Sequence, residues 1–365
     1  MDGAPDGLGR SRRGIEGLKA SAMHVTTDFP FELFTELSVD PELGARALHR
    51  ESVQSDLADL VEETFVGGVL ADALPTDMEE VSVAVTPGWD QEPRAQSLDI
   101  QITEQSGEGR SFTKHFETGR WTRRAQETTR RLIEEGTLEE GALTYVHLLA
   151  EGRDDPPGLR LPPLQAPTIT EQSLDDFGVR ELGGGELCPD RPVLVNERML
   201  EEILCHTEAA GAEETGGGTL GKMIRLDRPL PGTSTRIVTV LSASLMDDRH
   251  DGAVARFTFD PAALQEAAQV AQLRGKGETV LTAFHTHGWG TGCGKCNQST
   301  TCSIPTAAHV SLDDYRVLAC LFPSKATLMP IAGRKLGAEG TRPVLEIHAW
   351  RGGRMASIPW RTYRD

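Results

Sequence analysis

Seven of the 21 prolines fall between residues 151 and 192, among them the pairs Pro156-Pro157 and Pro162-Pro163, and the same stretch holds Gly183-Gly184-Gly185. Proline removes a backbone donor and fixes φ, while glycine adds chain entropy, so such a stretch favours neither a long helix nor a central strand. It divides the 365-residue chain into two blocks, each long enough to bury its own core at roughly 150 residues per domain. The pattern predicts a disordered leader over 1–25, an N-terminal α/β domain over 26–150, a partly stiff Pro/Gly-rich linker over 151–190 and a second domain over 191–365.

Both blocks mix the two hydrophobic periods. In the first, Leu57, Leu60, Val61 and Phe65 recur at helical spacing. Val81, Val83, Val85 and then Leu98, Ile100, Ile102 alternate as half-buried strands. Trp121, Ala125, Thr128 and Leu132 predict a second helix stopped by Gly136, and 143–149 reads as a third strand. Nothing in this α-β-β-α-β block carries a catalytic signature. In the second block, strands are predicted at 193–195, 237–245, 279–284, 327–332, 343–349 and 354–359, with helices over 196–209 and 310–320. Asp260-Pro261 is a helix start and Gly275 a matching stop. The fold class expected is α/β.

Charge narrows the function classes. Lys and Arg number 37 against 55 Asp and Glu, a net charge of −18, which repels phosphate backbones and anionic lipid surfaces. No nucleic-acid or membrane partner is expected; a basic substrate, or one with a basic patch, suits the balance. No apolar run approaches the roughly 18 residues of a membrane helix, and no secretory signal is recognisable. A cytoplasmic location is expected. In that compartment the six cysteines read as metal ligands or core residues rather than a disulfide framework. Cys205 and Cys320, in apolar helical stretches, are expected in the core.

Three local patterns could carry chemistry, and each has a plain alternative. His285-Thr286-His287 ends a predicted strand, where residues i and i+2 share a face and both imidazoles can reach one metal ion. Strand-end histidines without a ligand role are the alternative. Ser311-Leu312-Asp313-Asp314 opens a predicted helix and brings Ser311 and Asp314 together one turn apart. Simple helix capping accounts for it equally, and Ser173-Leu174-Asp175-Asp176 repeats the same letters. Glu214 heads Thr215-Gly216-Gly217-Gly218 at a strand entry; Glu117-Thr118-Gly119 shows how readily such a turn arises.

Taken in order, Glu214, His285-Thr286-His287 and Ser311 to Asp314 resemble the JAMM (MPN+, or JAB) zinc metalloprotease family, whose pattern is Glu … His-Ser/Thr-His … Ser-x-x-Asp. The resemblance spans about residues 191–360 and is strongest to prokaryotic JAB deubiquitinase-like members. It implies a JAB/MPN-like, cytidine-deaminase-like domain: a mixed sheet flanked by helices, preceded here by a separate small α/β domain. It implies Zn2+ held by His285, His287 and Asp314, with Glu214 as general base and Ser311 stabilising the oxyanion. The implied reaction is hydrolysis of the peptide or isopeptide bond at the C-terminus of a ubiquitin-like or sulfur-carrier-like protein. The N-terminal domain would recognise that modifier, a conjugation-pathway protein or the target.

Two departures stand out. Gly288 occupies the position where the family usually has proline, and the spacer over 288–310 is 23 residues, longer than the family's. This insertion holds Cys293, Cys296 and Cys302, with His309 beyond, a set that suits a second, structural zinc. A loop of reduced thiols or a redox switch are the alternatives. A non-catalytic MPN-type scaffold and a zinc-ribbon interaction module are the rival readings of the whole chain.

Overall fold

The computed structural model describes residues 24–40, 46–152, 161, 164–177, 181–183, 185–211, 213–247, 261–287, 310–337 and 340–364. The first block contributes strands β1 (His24–Asp28), β2 (Phe31–Ser38) and β3 (Ala47–Ser52), helix α1 (Asp56–Leu70), strands β4 (Glu80–Gln91), β5 (Arg94–Glu104) and β6 (Ser111–Glu117), helix α2 (Thr122–Glu134) and strand β7 (Tyr145–Gly152). Of the leader expected over 1–25, residues 1–23 lie outside the described residues and His24 already begins β1.

These strands form a seven-stranded sheet in the order β1-β4-β5-β7-β2-β3, with β6 on β5. The period-two residues behave as predicted: Val81, Val83, Leu98, Ile100 and Ile102 are at most 1% exposed. They face α1, whose Leu57, Leu60, Val61 and Phe65 are fully buried. Gly136 adopts a φ of 71° just past α2 and ends it, as its position predicts.

The chain continues through β8 (Ile169–Gln172), β9 (Glu181–Leu182), β10 (Val193–Asn196), helix α3 (Glu197–Ala210), β11 (Gly216–Leu226), β12 (Ile237–Met246), helix α4 (Pro261–Arg274), β13 (Thr279–Thr286), helix α5 (Leu312–Leu321), β14 (Leu328–Gly337), β15 (Gly340–Arg351), β16 (Arg354–Ile358) and β17 (Arg361–Arg364). They build a ten-stranded mixed sheet, β16-β15-β14-β13-β11-β12-β10-β17-β9, with β8 on β11. The molecule is thus a mixed α/β protein with two sheets.

Two expectations change. The described parts of the 151–190 stretch are stitched into the structure: Leu164 is buried, β8 runs parallel to β11, and β9 pairs with β17. Of the described prolines, Pro167 precedes β8, and Pro189 and Pro192 lie between β9 and β10, all outside the ladders. The two blocks also share a core where separate cores were expected, because Met223, Ile237 and Ala326 join the cluster around α1. Polar contacts close the same seam. Thr235 Oγ1 donates to Leu70 O at 2.6 Å, and Asp72 pairs with Arg225 at 2.9 Å and with Arg236 at 2.6 Å.

Cys205 is exposed rather than part of the core. Helix α3 buries Met199, Ile203 and Thr207, spaced four apart, which leaves position 205 on the opposite face. Among the described residues no helix is long and apolar enough to cross a membrane.

Candidate metal centre

The site forms at the β13–α5–β14 crossover. Strands β13 and β14 are parallel neighbours, with His285 opposite Ile331 and Thr286 opposite Ala332. A parallel pair joined through a helix leaves a crevice at the carboxyl end of the first strand, the usual place for a ligand in such sheets. His285 and His287 stand at that end, and α5 begins beside them.

The alternation of a strand sorts the three residues His285, Thr286 and His287. Both imidazoles turn to one face, with Nε2 atoms 3.1 Å apart and ring centroids 5.0 Å apart. Thr286 turns the other way: its Oγ1 accepts the Thr215 N–H at 3.0 Å, while its own N–H donates to Thr215 O at 2.7 Å. On the other side the His287 N–H donates to Ala332 O at 2.8 Å. The histidine segment is therefore pinned between β11 and β14.

Asp314 closes the group from the first turn of α5. Its Oδ1 lies 3.1 Å from His285 Nε2, and its Oδ2 lies 3.8 Å from His287 Nε2. Oδ2 also accepts the Ser311 N–H at 2.5 Å, and Ser311 Oγ accepts the Asp314 N–H at 3.2 Å, a complete capping box. All three side chains are buried, at 5%, 7% and 9% exposure. Burial alone would raise the Asp314 pKa, but hydrogen bonds from His285 and His287 and the Ser311 N–H outweigh it and hold the carboxyl well below its usual range. Asp314 is ionised.

One ligand atom from each residue lies within 4.8 Å of the others, so His285, His287 and Asp314 could hold a metal ion. The donor set suits zinc: at bond lengths of 2.0–2.1 Å, tetrahedral ligand atoms lie roughly 3.3 Å apart. The two 3.1 Å spacings fall near that value, and the capping box orients the carboxylate as an outer hydrogen-bond partner does in metal sites.

Glu214 sits just before β11. Gly216, the first residue of β11, pairs with His285 in the antiparallel register, and Glu214 precedes it by two residues. Its side chain is half-buried, whereas neighbouring Glu213 is exposed. Ser311 is the N-cap of α5, as the capping alternative holds. That role uses an acceptor lone pair of Oγ and leaves the hydroxyl proton available to donate. Cys293, Cys296, Cys302 and His309 lie outside the described residues.

The contribution of Thr215 and Thr286 was invisible to motif reading. Their pairing joins residues 71 apart in sequence, which no local pattern reveals.

No family model matches the chain, and no curated protein matches it. Among solved structures, it is similar to the solution structure of a structural-genomics target from Desulfitobacterium hafniense. The two share 16% identity over 47% of this chain and 94% of that one, with a TM-score of 0.30.

Proposed function

We propose that this chain is a zinc-dependent hydrolase of JAMM type, with a JAB/MPN-like C-terminal half. Its substrate would be the peptide or isopeptide bond at the C-terminus of a ubiquitin-like or sulfur-carrier-like protein. The observation that carries this reading is the meeting of His285, His287 and Asp314 at the end of β13, with Glu214 two residues ahead of Gly216, the β11 partner of His285. Two imidazoles and one carboxylate leave a fourth tetrahedral position open, as catalytic rather than structural zinc sites do.

Zinc bound there would lower the pKa of a water molecule to roughly 7 and polarise the scissile carbonyl. The chain's own residues do the rest. Glu214 takes the proton of the attacking water and returns it to the leaving amine. Ser311, held by the cap, donates its free hydroxyl proton to the developing oxyanion, a contribution on the order of 3 kcal/mol. The Thr215–Thr286 pair keeps the Glu214 backbone in register with the histidines.

The test is cleavage of a panel of ubiquitin-like C-terminal fusions by the wild type and by Glu214→Gln. The reading expects cleavage that falls at least 100-fold in Glu214→Gln with zinc content unchanged. Equal cleavage by both proteins would remove Glu214 from the mechanism.

A further inference from the structure

A second site lies at the seam between the two sheets. A cavity of about 170 Å³ is walled on one side by α1 and β6, through Glu63, Val66, Leu70, Phe112 and Lys114, and on the other by Asp190, Arg191, Lys325, Trp350 and Arg351. Four of these side chains are cationic and two are carboxylates. Glu63 pairs with Lys114 at 2.7 Å, and Asp190 pairs with Arg351. Among the described residues Arg191 has no carboxylate at ion-pair distance, and Lys325 reaches only Asp59, outside the cavity lining.

Arg191 is the more telling of the two. It is 7% exposed, and one of its Nη atoms donates to the carbonyls of Ala326 at 2.5 Å, Thr327 at 3.2 Å and Lys325 at 3.4 Å. These dipoles orient the guanidinium without neutralising it. Among the described residues it forms no ion pair, and its buried Nε has no hydrogen-bond partner. Trp350 Nε1 is a second buried donor without a partner on the same wall. Lys325, also buried, lies 4.1 Å above the Trp350 ring, and its nearest carboxylate is the exposed Asp59 at 3.8 Å. A buried cation with no carboxylate bonded directly to it is stabilised by an anion seated beside it.

We infer that this seam cavity binds a small organic anion, its carboxylate facing Arg191, Lys325 and the Trp350 indole N–H and its carbon body against Val66, Leu70 and Phe112. The size is apt: an apolar cavity of about 150 Å³ accommodates benzene. The site is distinct from the His285 group. Ile331, the neighbour of His285, pairs with Glu346 on β15, and Trp350 lies four residues further along that strand, roughly 13 Å away.

The experiment is thermal denaturation and calorimetric titration of the full chain with succinate, its neutral diamide succinamide, and inorganic phosphate, at ionic strength held constant with chloride. Succinate should raise the melting temperature saturably, as a ligand specific to the native state does, and succinamide should not. Arg191→Met and Lys325→Gln should each weaken succinate binding at least tenfold. Arg191 also ties four carbonyls, that of Trp350 among them, so if its variant fails to fold, Lys325→Gln alone decides. Three outcomes would overturn the assignment: no saturable succinate binding, binding of phosphate but not succinate, or unchanged affinity in Lys325→Gln.

Discussion

Ser311 and Asp314 hold each other at the start of α5: the Ser311 N–H donates to Asp314 Oδ2 at 2.5 Å, and the Asp314 N–H donates back to Ser311 Oγ at 3.2 Å. One oxygen of the carboxylate is thereby fixed, and the other is left facing His285 at 3.1 Å. A feature that reads as ordinary helix capping also aims a carboxylate that could hold a metal ion. The capping and catalytic readings of this motif are not exclusive.

This double use separates two variants. Ser311→Ala should cost about 1 kcal/mol of stability from the lost cap while the bound zinc is retained, because the Ser311 backbone N–H still holds Asp314. Its cleavage rate should fall by about 100-fold if the hydroxyl stabilises the oxyanion. Denaturant unfolding, elemental analysis and fusion-cleavage kinetics measure the three quantities independently.

Thr286→Val keeps the side-chain shape but removes the acceptor for the Thr215 N–H, which is buried in a residue 6% exposed. An orphaned buried donor costs about 1–3 kcal/mol. The proposed function adds that Glu214 loses its register, so turnover should drop with zinc content intact. Thr286→Ser restores the acceptor and should recover both stability and turnover, an outcome that a purely steric role for Thr286 would not give.

Gly217 lies on β11 between two paired strands, and a Cβ there would overlap the Leu245 carbonyl oxygen. Backbone cannot yield as a side-chain tip can, so Gly217→Ala should destabilise by about 3 kcal/mol or more. Gly119→Ala, with nothing within 4 Å of the added methyl, should stay within about 0.5 kcal/mol of wild type. The pair of urea midpoints measures the difference.

Glu278 tests the acid limb of stability. Burial would raise its pKa, but hydrogen bonds from Arg274 and Ser242, at 2.6 Å each, together with the Arg274 charge lower it below the usual value. A carboxyl with a lowered folded pKa contributes stability that is complete above the ordinary glutamate pKa, near 4.3, and lost as pH falls through the folded value. Glu278→Gln should therefore be less stable than wild type near neutral pH, and the gap should close on acidification. Thermal midpoints from pH 7 down to pH 3 record it; a gap that widens on acidification would contradict the assignment.

Much of the molecule was legible because its signals are local. Val81, Val83 and Val85 announced a strand, Gly136 a helix stop, and His285 and His287 a shared face, since periods of two and 3.6 are properties of neighbouring residues. Short strands such as β9 and β17 escaped because two to four residues give no periodicity to read. Cys205 was misplaced because apolar neighbours in sequence do not fix which side of α3 faces the sheet. The seam between the blocks was invisible for a different reason. Arg191 and Glu63 are ordinary charged residues until the fold buries both, and only long-range packing decides that.

The central claim is that His285, His287 and Asp314 form a zinc site, and zinc per chain tests it most directly. Wild type, His287→Ala and Asp314→Ala should be loaded with zinc, desalted and analysed side by side, with circular dichroism to verify that each is folded. The account predicts that each variant binds one zinc fewer than wild type. Zinc content unchanged in both folded variants would mean that the metal is held elsewhere, and the hydrolase reading would fall with it.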